Sequence, residues 1–215
     1  MSLFVVSLGG SLLVPKEGID VAFLKSLRRF FVSRAKRGDR FVIISGGGQI
    51  ARDYQGAART ITKLTRDDLD WLGIHATRLN AHLLRTIFAE EAYPVIFDTP
   101  ERPIPKRDWA SHALIIAAGW RPGWSTDYVS VRLADRFKAS KMIIATKIPY
   151  VYDADIAKYK NAKPLLDITW QTYRKMAGDK WTPGMKIPVD PVAARYAEEK
   201  GMEVIIVRGT DLKNL

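Results

Sequence analysis

With 215 residues, 47% hydrophobic and 27% charged, the chain has the balance of a folded globular protein with a sizeable core and is not of disordered composition. It has no cysteine, which excludes disulfides and thiolate metal sites and makes a reducing cytoplasm the expected location. No apolar run approaches the ~20 residues that span a bilayer, and the opening MSLFVVSLGG reads as a first strand rather than a secretory leader.

The net charge of +11 has two readings, a nucleic-acid or membrane-surface partner, or a solvated surface that draws in small polyanions. The densest basic stretch, KSLRRFFVSRAKRGDR, is helix-like, with Val21, Leu24, Leu27 and Phe31 on one apolar stripe. Its lysines and arginines then face water, and no nucleic-acid motif accompanies them, so a nucleic-acid partner is not expected.

In chain order, strands are expected at Leu3–Leu8, Phe41–Ile44, Pro94–Phe97, Ala113–Ala117, Met142–Ala145 and Glu203–Val207. Each is nearly continuous in Val, Ile, Leu and Phe, the pattern of strands buried on both faces. A first helix runs from an Asp20 cap to Gly38, and another restarts after the glycine run Gly46–Gly48. A long helix begins after Thr65, with Asp67 and Asp68 in its first turn and Leu69, Leu72, Ala76, Leu79, Leu83 and Ile87 as its apolar positions. Further helices are expected at Thr126–Phe137, Thr169–Met176 and, opened by Asp190-Pro191, Pro191–Glu199. DTPERPIPKRDW and GDKWTPGMKIPVDP read as loops. Alternating strands and helices with no repeat or linker give one domain over residues 1–215, a three-layer αβα sandwich on a mostly parallel sheet.

Ligands of such sheets sit at the carboxyl ends of strands. Three loops there carry glycine: Gly9-Gly10-Ser11, Gly46-Gly47-Gly48, and Gly119 to Gly123 followed by Ser125-Thr126-Asp127. The second fits a dinucleotide fingerprint loosely, through Gly46, Gly48 and Ala51. A different glycine loop holds the first strand–helix turn, however, and the acids at the required distance, Asp68 and Asp70, fall within a helix, which argues against a dinucleotide. No G-x-x-x-x-G-K-[ST] occurs, so a Walker-type NTPase is excluded. Several converging loops suit two phosphorylated molecules meeting face to face, because phosphoryl transfer asks the protein for positioning and charge neutralisation. Arg52, in the first turns after Gly48, can fork onto phosphate oxygens. His75 and His82 read as packing or surface residues, and Trp109, Trp120, Trp124 and Trp181 as loop aromatics giving hydrophobic cover.

VSLGGSLL, ISGGGQIARDY, LDWLGIHATRLNAHLL, PGWSTDYVSVRLAD, ATKIPYVYDAD with KYKNAKPL, and VDPVAARYAEEKGMEVIIV together resemble the uridylate (UMP) kinases of archaeal type, in the amino-acid kinase superfamily. The resemblance runs through almost the whole chain. It implies ATP-dependent, Mg²⁺-dependent conversion of UMP to UDP in pyrimidine nucleotide biosynthesis, in a homohexamer. It further implies that Gly9, Gly10, Ser11, Gly48 and Arg52 contact ATP phosphates, with Thr146, Tyr152 and Asp155 on the ATP side. Gly47 and Asp70 would contact UMP, and the Trp120–Thr126 loop, with Gly123 and Ser125, would wrap its phosphate. Thr126 would donate a hydroxyl, Asp127 would order the site, and Lys147 would add charge near the transferring phosphate. The chain departs from the pattern at Ser7, where many relatives have lysine, and at Pro149-Tyr150, where Asp-Gly is usual. Alternatives are a kinase for another phosphorylated small molecule, such as isopentenyl phosphate, and a non-catalytic nucleotide sensor.

Overall fold

The computed structural model describes residues 2–156, 158–178 and 187–215. Five parallel strands form the central sheet: β1 (Leu3–Leu8), β2 (Arg40–Ser45), β3 (Leu114–Ala117), β4 (Lys141–Thr146) and β7 (Val204–Arg208), in the order β3-β2-β1-β4-β7. A two-stranded antiparallel hairpin, β5 (Val151–Tyr152) and β6 (Pro164–Leu165), stands apart. The helices are α1 (Gly10–Leu13), α2 (Val21–Lys36), α3 (Gly48–Ile61), α4 (Arg66–Ile87), α5 (Lys106–Ser111), α6 (Thr126–Phe137), α7 (Trp170–Ala177) and α8 (Pro191–Glu199).

Alternation along each strand divides the core between the two faces of the sheet. Val6, Leu8, Phe41 and Ile43 pack against Leu24, Leu27 and Phe31 of α2 and Leu84 of α4. Val5, Val42, Ile44 and Ile144 pack against α6 and α8, through Val129, Leu133 and Ala194 among others. The chain builds outward from β1 to β2 and β3 on one side, then to β4 and β7 on the other. The switch point therefore lies at the carboxyl ends of β1 and its neighbours, where an open parallel sheet leaves a crevice.

Local chemistry sets the element ends. Asp20 caps α2 by accepting from the Phe23 amide, and Gly38 beyond it takes φ +92°, the left-handed region that glycine enters at little cost. Thr65 and Asp68 form a reciprocal capping box at the start of α4.

Four sequence expectations are corrected. Pro94–Phe97 forms no continuous strand: Tyr93 and Phe97 donate to Leu114 and Ile116 of β3, and the chain bends at Pro94 and Val95 between them. Lys106–Ser111, expected as loop, is helix α5. Val21 is exposed, so the α2 stripe starts at Phe23. On α4 the apolar periodicity holds at Ala76, which is buried, and at Leu83 and Ile87, which pack on the core, but fails at Leu79. Leu79 is 58% exposed, whereas the buried face carries Asp70, Ile74, Thr77, Asn80 and Leu84. Polar residues occupy inward positions there because they hydrogen-bond the loops of the crevice. Among the described residues no helix is long and apolar enough to cross a membrane. The stretch 179–186, with Trp181, lies outside the described residues.

Candidate functional site

The loops after β1 and β2 are locked together by the absence of side chains. A Cβ on Gly10 would stand 2.2 Å from the Gly48 nitrogen and 2.4 Å from the Gly46 carbonyl carbon. A Cβ on Gly48, whose φ is +65°, would meet the Gly10 oxygen at 2.5 Å. All these neighbours are backbone and cannot swing aside, so the pair of loops needs glycine at each position. The contact brings the N-terminus of α3 against the first turn of α1. First-turn amides have no acceptor inside their own helix; Gln49 N–H reaches the Val14 carbonyl, whereas the Gly10, Ser11 and Gly48 amides have no acceptor among the described residues.

The third loop enters through α4. Thr77 Oγ1 accepts from the Gly119 amide at 2.8 Å, Arg78 donates to the Trp120 carbonyl at 3.0 Å, and Asp70 Oδ2 accepts from the Gly123 amide at 2.7 Å. One turn on, Asn80, 1% exposed, donates to the carbonyls of Gly46 and Gly47 at 2.8 and 3.2 Å. One helix thus ties the second and third glycine loops to each other. The N-terminus of α6 is capped by Ser125, which accepts from the Tyr128 amide.

Between these loops lies a cleft of about 290 Å³. Gly47, Gly48, Arg52, Asp70, Ser125, Thr126 and Asp127, all expected site residues, line it. Gly10 reaches it only through its contact with Gly46 and Gly48, and Gly9 and Ser11 sit beside it, Gly9 donating to the Ala145 carbonyl. Trp120 and Gly123 shape the third loop from outside the cleft wall, whereas Trp124 lines it, packed flat on Tyr128 at 4.2 Å between ring centroids. Thr146 ends β4 next to Gly9. Lys147 is exposed just beyond, outside the cleft wall. Tyr152 and Asp155 line a second hollow of about 600 Å³, and Ile187 borders both. Trp109 packs on Phe137 under the Arg40 guanidinium, far from this region, and His75 and His82 are exposed.

A carboxylate pair closes the inner end. Ser7 Oγ donates to Asp127 Oδ1 at 3.1 Å, and Ser125 Oγ donates to Asp190 Oδ2 in a short bond. Asp190 Oδ1 also accepts from the amides of Val192 and Ala193, capping α8. Asp127 lines the cleft; burial, then the neighbouring Asp190 charge, pushes its carboxyl up to about 7. The Ser7 hydroxyl and the Asp190 amide offset part of that rise. Burial raises Asp190 and Asp70 as well, with hydrogen bonds from Ser125 and Gly123 opposing. Among the described residues neither Asp127 nor Asp190 has a basic partner, so a cation shared with phosphate oxygens would relieve their repulsion. Among those residues no group of three or more His, Cys, Asp or Glu could hold a metal unaided.

Ser7 stands out in the sequence only as a departure from the family pattern, and nothing in it marks Thr77, Arg78, Asn80 or the second role of Asp190, which does start the last helix but also grips Ser125. The available signal was on α4, where Asp70, Thr77 and Asn80 share one face and interrupt its apolar pattern.

Residues 2–208 match the sequence model of the amino acid kinase family. A uridylate kinase from Methanosarcina mazei is 34% identical over 98% of this chain and 89% of its own length. One from Hyperthermus butylicus is 34% identical over 83% of this chain and 77% of its own. Among solved structures, uridylate kinase from Archaeoglobus fulgidus aligns with a TM-score of 0.78 at 27% identity, covering 100% of this chain and 93% of that one. UMP kinase from Bacillus anthracis, at 18% identity and a TM-score of 0.79, shares the fold.

Proposed function

This chain belongs to the amino acid kinase family, and we propose that it transfers the γ-phosphoryl group of ATP to UMP, giving UDP and ADP. The observation that carries this reading is the interlock of Gly10, Gly46 and Gly48, which sets the N-termini of α1 and α3 side by side and opposite that of α6. In this reading the amides of Gly10, Ser11 and Gly48 hold donor phosphates, and Gly47 and the Gly119–Thr126 loop hold the acceptor phosphate. An oxygen of the UMP phosphate attacks the γ-phosphorus, the bond from that phosphorus to the β–γ bridging oxygen breaks, and ADP leaves with the electron pair. The acceptor oxygen is already anionic, so no general base is required.

Arg52 is exposed at the cleft, its Nε donating to Gln49 at 3.0 Å, which leaves its terminal nitrogens to neutralise equatorial oxygens. Thr126 supplies a hydroxyl at the N-terminus of α6, Asp70 presents a carboxylate to the ribose, and Asp127 orders the loop ends through Ser7. Tyr152, Asp155 and Thr146 belong to the donor side, with Lys147 next to it. Mg²⁺, when bound, would neutralise phosphate charge, with Asp127 and Asp190 as the groups that would hold it. The Asp70 carboxylate in the cleft wall suits a ribose hydroxyl, which favours a nucleoside over the alkyl chain of isopentenyl phosphate.

A homo-oligomer in the cytoplasm is part of the same proposal. Tyr54, Ile61, Trp71 and Leu79 expose apolar surface on α3 and α4 that a second copy would cover, and light scattering tests this. The functional test is a coupled ADP-release assay with UMP, CMP, AMP and isopentenyl phosphate. UMP is expected to support the fastest turnover. Arg52→Ala and Thr126→Ala are each expected to cut kcat by about 10²–10³ with an unchanged melting temperature, as for loss of one transition-state donor.

A further inference from the structure

Gln55 has no part in the roles assigned so far, yet it lines the cleft one turn beyond Arg52 on α3. Its Nε2 donates to the Leu69 carbonyl at 2.7 Å, bridging α3 to α4. A carbonyl can only accept, so this bond decides which way the amide faces. Oε1 is left turned away from Leu69, without a partner among the described residues and not sealed from solvent. Gly73 makes room for the arrangement, since a Cβ there would come within 3.2 Å of Nε2. The amide therefore lies over bare helix backbone and is held as a rigid acceptor.

Its place along the cleft gives this acceptor a partner. The bare amides that suit phosphate cluster at Gly47, Gly48 and Thr126. Gln55 lies seven residues along α3 from Gly48, about 10 Å at helical rise. Gly73 faces it from α4, beside Asp70, which accepts from the Gly123 amide of the third loop. A nucleoside monophosphate with its phosphate on the loops extends its sugar and base toward this end.

We propose that Gln55 reads the base of the acceptor nucleotide, its fixed Oε1 accepting the imide N3–H of uracil. This rests on the reading of UMP as acceptor. Cytosine places a bare lone pair at N3, which repels Oε1, and the Leu69 bond prevents the amide from turning over to donate instead. A site built to pair one hydrogen-bonding group rejects analogues that lack it more strongly than an apolar pocket does.

The test compares UMP, CMP and 3-methyluridine monophosphate as acceptors, measuring both kcat/KM and equilibrium binding, for the wild type and for Gln55→Leu. The wild type is expected to favour UMP over each analogue by about tenfold or more, the scale of one hydrogen bond with an unpaired alternative. In Gln55→Leu the three are expected to draw level, with the loss for UMP appearing in KM more than in kcat. A leucine variant that keeps the wild-type preference overturns the proposal. A wild type that takes the N3-methylated nucleotide as well as UMP does so too, independently of any variant. A wild type that neither binds nor phosphorylates any uridine nucleotide overturns the functional reading itself, and is told apart by that.

Discussion

Asp127 is the residue with most at stake on pH. Its folded value of about 7 stands above the ordinary 3.8, so between these limits the native state holds a proton that the unfolded chain has released. Stability from this group is complete below about 4 and is lost as pH rises toward about 7. Asparagine at 127 keeps an acceptor for Ser7 and removes the charge facing Asp190. Asp127→Asn is therefore expected to raise the melting temperature relative to wild type at pH 8 and to bring little gain at pH 4, with activity reduced at both. A gain of equal size at the two pH values, in thermal melts of both proteins, would assign it to something other than this carboxylate.

At the scale of elements, α4 and the glycine loops form one device. Asn80→Ala leaves the Gly46 and Gly47 carbonyls without their donor and is expected to cost about 1–3 kcal/mol in denaturant unfolding. Two glycines should respond in opposite directions. Gly10→Ala drives a methyl into the Gly48 and Gly46 backbone and is expected to destabilise by about 1–3 kcal/mol or more. Gly56→Ala, inside α3 with nothing within 4 Å, is expected to stabilise by about 0.5–1 kcal/mol. The same elements show what was legible in the sequence. Runs such as Phe41–Ile44 and caps such as Asp20 and Thr65 act locally, so pattern and chemistry agreed and the strands and long helices were readable. The β5–β6 hairpin was not, because two residues per strand carry no period. The polar part of the inward face of α4 was not readable because Asp70, Thr77 and Asn80 are buried by partners that lie 33 to 53 residues away in sequence. Gln55 and Asp190 were invisible as site residues for the same reason: their meaning depends on Leu69 and Ser125.

At the scale of the whole molecule, the net charge of +11 contrasts with the three carboxylates, Asp70, Asp127 and Asp190, and single arginine lining the cleft among the described residues. The surface excess attracts polyanionic nucleotides from a distance, whereas the loop amides hold them at contact. Raising salt from 50 to 500 mM is thus expected to raise KM for both nucleotides while changing kcat little, because long-range steering is screened and close contacts are not. ATP and UMP added together should raise the melting temperature more than either alone. The most direct test of the account is one turnover of γ-labelled ATP in the presence of UMP and Mg²⁺, with the products separated. Label is expected in the β-phosphate of UDP, with none on the protein. Label retained in ATP, with both nucleotides bound, would contradict it and leave a nucleotide-binding protein without transfer.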